Sequence, residues 1–78
     1  SVDELIQAVY NYAIKQIQQD IPLRFVFRPL LGLFNGQKGA RLWRRTLSDA
    51  QQLKKGDPAL LLQTYDIFKS SSQNFIEN

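Results

Sequence analysis

The segment Gly36-Gln37-Lys38-Gly39-Ala40-Arg41-Leu42-Trp43-Arg44-Arg45 joins a glycine-containing turn to the start of a helix. Glycine tolerates the positive backbone φ angles of tight turns, so the segment predicts a break between two helices. After the turn, apolar residues recur three and four positions apart, at Ala40, Trp43, Leu47 and Ala50. This spacing predicts a helix with one apolar face, and it places the arginines largely on the opposite face.

Two further helices are predicted before this turn. Ser1 and Glu4 have the spacing of a capping box, in which both side chains bond to free amides at a helix start, and helix one is expected to run to about Gln19. Helix two begins at Pro22, where a proline is tolerated in the first turn. Because an interior proline removes a hydrogen bond and clashes with the preceding turn, we expect a kink or a late start at Pro29.

A fourth helix is predicted after the turn. Asp57 and Pro58 have the pattern of an N-cap followed by proline at the first helical position. The three serines at 70–72 are expected to end this helix, and the tail side chains Phe75 and Ile76 are predicted to dock back on the domain. With no strand pattern and no repeat, residues 1–78 are predicted to form one all-α domain, a small four-helix bundle.

The composition limits the classes of function. The chain has 78 residues, 44% of them hydrophobic and nine of them aromatic, which predicts a single packed core. It contains no cysteine and no histidine, and no carboxylates are spaced as an acid/base pair, so neither a metal site nor independent catalysis is expected. No apolar run is long enough for a transmembrane helix, and no signal peptide is recognised. A cytoplasmic location is expected, and the start resembles a cut at a domain boundary.

Positive charge is concentrated in the middle of the chain. The formal net charge is +3, but residues 1–23 and residues 56–78 each sum to −2. Residues 24–55 carry eight basic residues against Asp49 alone, a net charge of +7. Such a distribution predicts a polyanionic partner.

The candidate site lies in this basic segment. The free amides at the start of helix three, with Gly39 allowing close approach and Lys38 and Arg41 adding charge, are suited to a phosphate. Arg41, Arg44 and Arg45 repel one another at spacings of three and four, and either a bound nucleic-acid backbone or Asp49 would neutralise them. The structural alternative explains Gly36 as a C-cap, Gly39 as a packing glycine and the arginines as a solvated face.

Two features near the candidate site also have a structural explanation and a functional one. Arg24 and Arg28 are expected to extend the basic surface if helix two turns their flank toward helix three. Trp43 has the ring of a base-stacking residue, but its periodicity with the apolar face favours the core. The same core position is expected of the aromatic residues Tyr10, Tyr12, Phe25, Phe27 and Tyr65.

Leu31-Gly32-Leu33-Phe34, Gly36, Gly39-Ala40-Arg41, Trp43-Arg44-Arg45 and Leu47-Ser48 together resemble the LGLF..G..GAR.WRR.LS stretch near the C-terminus of DusA-type tRNA-dihydrouridine synthases. The order and length of the flanking helices agree with the helical domain of that family. Two positions differ from the family pattern: Pro29 replaces a usual histidine, and Lys38 replaces a frequent proline.

The resemblance implies a function that this chain does not complete alone. In that family a flavin-binding barrel with FMN reduces a uridine of the tRNA D-loop with electrons from NADPH, and the helical domain holds the tRNA while the base is extruded. The resemblance implies two partners, tRNA and the flavin-binding barrel of the parent enzyme. It implies no membrane and no metal. The tRNA-binding residues are then Lys38, Arg41, Arg44 and Arg45, with Arg24 and Arg28. The alternatives are a docking module whose basic face binds an acidic protein, and, less favoured, a helix-turn-helix DNA reader.

Overall fold

The fold is built from helices and the turns between them. The computed structural model describes the backbone of residues 1–77 and the side chains of residues 1–71. Within that backbone there are five α-helices and one 3-10 helix, and no strand. They are α1 (Val2–Gln18), α2 (Leu23–Phe27), the 3-10 helix (Arg28–Leu30), α3 (Ala40–Leu47), α4 (Ala50–Lys54) and α5 (Ala59–Glu77). The predicted small all-α bundle is confirmed, with two more short helical elements than the four segments predicted, the 3-10 helix and α4.

The ends of α1 are defined by local hydrogen bonds. The predicted capping box is present, since the Ser1 side chain accepts from the Glu4 amide and the Glu4 side chain accepts from the Ser1 backbone. At the other end, Asp20 has a φ of 63°. The amide of Asp20 donates to the Ile17 carbonyl, and the amide of Ile21 donates to the Gln16 carbonyl, both at 3.0 Å. This is the Schellman pattern, which turns the chain sharply and brings Ile21 back against the helix end.

Pro29 divides the predicted second helix. The α-helical part ends at Phe27, and Pro29 lies in the first turn of the 3-10 helix, where its missing N–H leaves no bond unmade. A series of turns then leads to α3. The expected kink is therefore a full change of helix type.

The predicted third helix is also interrupted. The Ser48 hydroxyl donates to the Arg44 carbonyl at 2.7 Å, and the Asp49 carboxylate accepts from the Gln51 amide at 2.9 Å. These side chains form hydrogen bonds with backbone groups at the end of α3 and the start of α4. Serine and aspartate favour such a break because their side chains compete with the helical hydrogen bonds of the backbone. Ala50, which was predicted to lie on the apolar face of helix three, is instead the exposed first residue of α4.

The last helix begins as predicted and ends later. The Asp57 carboxylate accepts from the Ala59 amide at 3.0 Å, as an N-cap residue does. The helix continues through the serines at 70–72 to Glu77, so the predicted stop was wrong. Serine costs only a few tenths of a kcal/mol per helical residue, about 0.5, which an already formed helix tolerates. The predicted docking of Phe75 and Ile76 concerns side chains outside the described residues.

The core is aromatic at its centre. The rings of Phe34 and Phe68 stack at 3.9 Å between centroids, and Trp43 meets Phe34 edge-on at 4.8 Å. Trp43 and Phe27 are almost completely buried, as predicted. Other buried side chains of the core are Ile6, Ala13, Leu23, Leu30, Leu47, Leu61 and Tyr65.

The expectation of a core position was wrong for two aromatic residues. Tyr12 is 54% exposed and Phe25 is 52% exposed, while Tyr10 is half-buried against the core. Among the described residues, no neighbouring helix covers the side on which either ring lies. A single apolar residue does not determine which side of its helix is buried. No helix among the described residues is long and apolar enough to cross a membrane.

Candidate nucleic-acid interface

Helix α3 presents an arginine surface because its other side is fixed in the core. Ala40, Trp43 and Leu47 are buried, and they share the helix side that faces α5. The indole N–H of Trp43 also donates to the Leu30 carbonyl at 2.8 Å, which fixes the rotation of the helix about its axis. Arg41 and Arg45, on the opposite side, are exposed. At a spacing of four residues their Cβ atoms are about 6 Å apart, a distance similar to that between successive phosphates of a nucleic acid.

Arg44 has a different environment from the other two arginines. It is half-buried at the edge of the helix surface, and its guanidinium donates to the Asn35 side-chain oxygen at 2.7 Å. Asn35 belongs to the turn before α3, so this bond connects the arginine to the loop that precedes its helix. Nothing in the local sequence pattern predicts this contact between residues nine positions apart.

Among the side chains that the structure describes, no carboxylate forms an ion pair with the arginines of α3. Asp49, the candidate partner of Arg45, instead caps α4 through the Gln51 amide. None of the ion pairs between described residues includes Arg41, Arg44 or Arg45. Three like charges within five residues therefore repel one another at about 0.2–0.5 kcal/mol per pair, and an external anion would relieve that repulsion.

The glycine turn has one open glycine and one closed glycine. Gly36 has a φ of 84° and no atom within 4 Å of the position that a Cβ would take. Gly39 has a φ of 91°, and a Cβ there would lie 3.1 Å from Phe68 and 3.6 Å from Ser71. Gly39 thus allows α5 to approach, which favours its explanation as a packing glycine. Lys38 is exposed in the same turn, and a phosphate at this helix start stays a prediction.

Arg24 and Arg28 line a groove of about 650 Å³ between the end of α1, α2 with the 3-10 helix that follows it, and α4. Lys54 is a third cation in the lining of the groove, and Asp20 contributes a carboxylate to the same lining. Among the described residues that form the groove, α3 contributes only Leu47, with Ser48 beside it, and none of its arginines. The predicted site is therefore divided into the exposed side of α3 and a concave groove.

The sequence pattern did not predict the groove. Lys54, the last residue of α4, lines it together with Arg28. A groove between helices depends on where the ends of the helices meet. Here the ends are set by the Schellman turn at Asp20 and by the division of α3 from α4, and the sequence pattern indicates both only weakly. The only hint was a pair of cap-type residues, Ser48 and Asp49, within an otherwise helical pattern.

These groups can bind anions but do not form a metal site. Among the residues that the structure describes, no group of three or more histidine, cysteine, aspartate or glutamate side chains is placed to hold a metal ion. The molecule defined here is a small all-α domain with a basic helix side and a basic groove, a combination suited to a polyanion.

Comparison with known proteins gives this domain a family context. The chain is 41% identical over 58 residues to the tRNA-dihydrouridine(20/20a) synthase of Synechocystis, a match of 74% of this chain and 17% of the relative. It is 35% identical over 65 residues to the synthase of the same name from Xylella fastidiosa (83% and 20%), and 39% identical over 59 residues to that of Salmonella typhi (76% and 18%).

These matches confirm the resemblance derived from the sequence: over most of its length the chain is similar to part of the DusA-type tRNA-dihydrouridine synthases, consistent with a C-terminal domain of such an enzyme. The chain spans about a fifth of the length of these curated relatives. No protein-family model matches it. No solved structure matches it either.

Proposed function

We propose that this domain binds tRNA for a tRNA-dihydrouridine synthase by gripping the phosphate backbone with the exposed side of α3. Arg41 and Arg45 make the central contacts. Arg44 and Lys38 add charge at the edge, and Arg24 and Arg28 extend the basic surface at the groove. The observation that carries the proposal is the exposed pair Arg41 and Arg45, which has no ion pair with any described side chain and lies on a helix whose rotation is fixed by the buried Trp43.

Binding of this kind depends on shape and charge more than on base sequence. Long cationic side chains reach phosphate oxygens, and displaced counterions make the affinity fall steeply with salt. A-form RNA has a deep, narrow major groove that side chains cannot enter, so proteins recognise paired stems mainly through backbone contacts. The arginine side of α3 is convex, which suits such contacts along the outside of a stem.

The chemistry of the proposed enzyme belongs to the part of the protein outside these 78 residues. By the resemblance, a barrel carrying FMN reduces a D-loop uridine with electrons from NADPH, and this proposal assigns no residue of the present chain to either cofactor. The domain acts beside that barrel, in the cytoplasm, by holding the tRNA while the target base leaves its stack.

The proposal predicts that reversing one α3 charge weakens tRNA binding more than reversing a remote charge. Arg45→Glu should raise the Kd for an unmodified tRNA at least tenfold and lower the magnitude of the salt slope by about 1, because one phosphate contact becomes a repulsion. Arg41→Glu combined with Arg45→Glu should abolish measurable binding. Fluorescence anisotropy of labelled tRNA across a salt series measures both quantities, and circular dichroism checks that helicity is kept.

Lys15→Glu is the matched control. It makes the same change of charge at an exposed position of α1, away from the basic segment, and should change the Kd less than about threefold, since only the long-range field is altered. Equal effects of Arg45→Glu and Lys15→Glu would contradict the assignment of the site to α3.

If the unsubstituted 78-residue chain does not bind tRNA at any salt concentration, a docking module for an acidic protein becomes the better explanation of the basic surface. Preference for a DNA duplex over tRNA would instead support the helix-turn-helix alternative.

A further inference from the structure

The groove beside α2 has a chemistry that the contact between α3 and a stem does not use. Its floor is aliphatic, with the lining residues Ile17, Ile21, Leu23, Leu31, Leu47 and Leu53. Leu23 and Leu47 are almost fully buried, so the floor is continuous with the core of the domain. The volume of about 650 Å³ is within the range of about 300–1,000 Å³ that small-ligand sites occupy.

The charged groups of the groove are mainly cationic. Arg24 comes from α2, Arg28 from the 3-10 helix and Lys54 from the end of α4, so three different elements contribute the cations. Asp20 is the carboxylate among the lining residues. An occupant with both an apolar surface and a negative charge fits this arrangement, because the cations alone would suit any anion and the floor alone any apolar group.

An exposed aromatic ring contacts one of the arginines that line this groove. The guanidinium carbon of Arg24 lies 4.9 Å from the centroid of the Phe25 ring, and Phe25 is 52% exposed. Phenyl rings and guanidinium planes are the side-chain surfaces on which unstacked bases of RNA lie. An exposed phenylalanine next to a groove arginine therefore points to a nucleobase more than to an aliphatic protein segment.

We propose that the groove binds one unpaired nucleotide of the RNA, with its base against the aliphatic floor and the Arg24–Phe25 surface, and with its phosphate held by Arg28 and Lys54. A paired nucleotide keeps its base inside the helix stack and cannot reach the floor, whereas a nucleotide in a bulge or loop can. The inference rests on the proposed tRNA-binding function and deepens it: α3 contacts the paired stem, and the groove selects RNA with an unpaired nucleotide beside that stem.

Two hairpins test the inference directly. They share one stem and one loop, and one of them carries a single bulged uridine in the stem. The 78-residue chain should bind the bulged hairpin about tenfold more tightly than the fully paired one, measured by fluorescence anisotropy at one salt concentration. Ala50→Trp places an indole at an exposed position of the groove lining. This variant should bind the two hairpins with the same Kd.

The control is Ala8→Trp, which adds the same indole to an exposed position of α1 outside the groove lining. It should keep the tenfold difference, which excludes a general effect of an added aromatic ring on RNA. Equal affinity of the unsubstituted chain for both hairpins would overturn the groove inference while leaving the α3 function standing, and the groove would then fit a protein segment. A preference that persists in Ala50→Trp would also overturn it. Failure to bind either hairpin would count against the proposed function itself and remove the groove inference with it.

Discussion

The indole of Trp43 decides which way the arginines of its helix point. It is 1% exposed, contacts the rings of Phe34, Tyr65 and Phe68, and donates its N–H to the Leu30 carbonyl. A tryptophan beside three arginines has the composition of a base-stacking site, but this ring has no free face. In the proposed function, the contribution of Trp43 to RNA binding is therefore indirect, because it orients α3.

Replacing Trp43 with phenylalanine tests that assignment. Trp43→Phe should lower the free energy of unfolding by about 2–4 kcal/mol, because the Leu30 carbonyl loses its buried donor and the smaller ring leaves a void. Urea unfolding followed by circular dichroism measures the change. Leu42→Ala, on the same helix but 39% exposed, should cost clearly less. Unchanged stability together with a loss of RNA affinity would show instead that the ring stacks on a base.

At the scale of the elements, helix existence was easier to predict than helix boundaries. The capping box at Ser1 and the N-cap at Asp57 are local patterns, and both are present in the structure. The division of α3 from α4 at Ser48 and Asp49 and the continuation of α5 through its serines were not predicted. Serine and aspartate can cap a helix end, but serine inside a helix costs only about 0.5 kcal/mol per residue, so the residue type alone does not decide between the two outcomes.

The candidate site follows the same division. Arg41 and Arg45 were correctly expected opposite the apolar face of their helix, because periodicity alone fixes that relation. The grouping of Arg24 and Arg28 with Lys54 was not predicted, since it depends on how the ends of three helices meet. Residues on one helix can be related from sequence, whereas a groove between helices requires the structure.

The turn before α3 offers a prediction about two glycines with similar backbone angles. Gly36→Ala should cost about 1 kcal/mol, the price of left-handed geometry for an L-residue, because no atom is near its new methyl group. Gly39→Ala should cost about 1–3 kcal/mol more, since the methyl would press on Phe68 at 3.1 Å and Phe68 is already stacked on Phe34. Thermal or urea unfolding of both variants gives the difference. Equal losses would mean that Phe68 moves aside freely.

At the scale of the whole molecule, one hydrogen bond connects residues 62 positions apart in the sequence. The Tyr65 hydroxyl of α5 donates to the Asp3 carboxylate of α1 at 2.5 Å. Lys69 lies 3.9 Å from the same carboxylate, and its ammonium is 4.6 Å from the Tyr65 ring centroid. The first and last helices are thereby joined on a side of the bundle whose exposed ion pairs contribute little, about 0–1 kcal/mol each.

This junction makes the stability of the domain depend on alkaline pH. Burial, followed by the hydrogen bond and charge of Asp3, raises the pKa of Tyr65 from 10.0 to about 12. In the unfolded chain the phenol loses its proton near pH 10, so between pH 10 and pH 12 the unfolded state binds fewer protons than the folded state. The stability that depends on this proton is complete below pH 10 and is lost as the pH rises through 12. Ionisation of Tyr65 therefore lowers the free energy of unfolding by about 2–3 kcal/mol.

Urea unfolding at a series of pH values from 8 to 12 should therefore show a steeper loss of stability in the unsubstituted chain than in Tyr65→Phe, which lacks the titrating group. At pH 8 the same variant should be less stable by about 1–2 kcal/mol, because a hydrogen bond to a carboxylate is removed. Tyr12→Phe, at a site that is 54% exposed, makes the same chemical change and should leave both the stability at pH 8 and the pH dependence unaltered. Parallel curves for the unsubstituted chain and Tyr65→Phe would show that the α1–α5 junction is not what loosens the bundle in alkali.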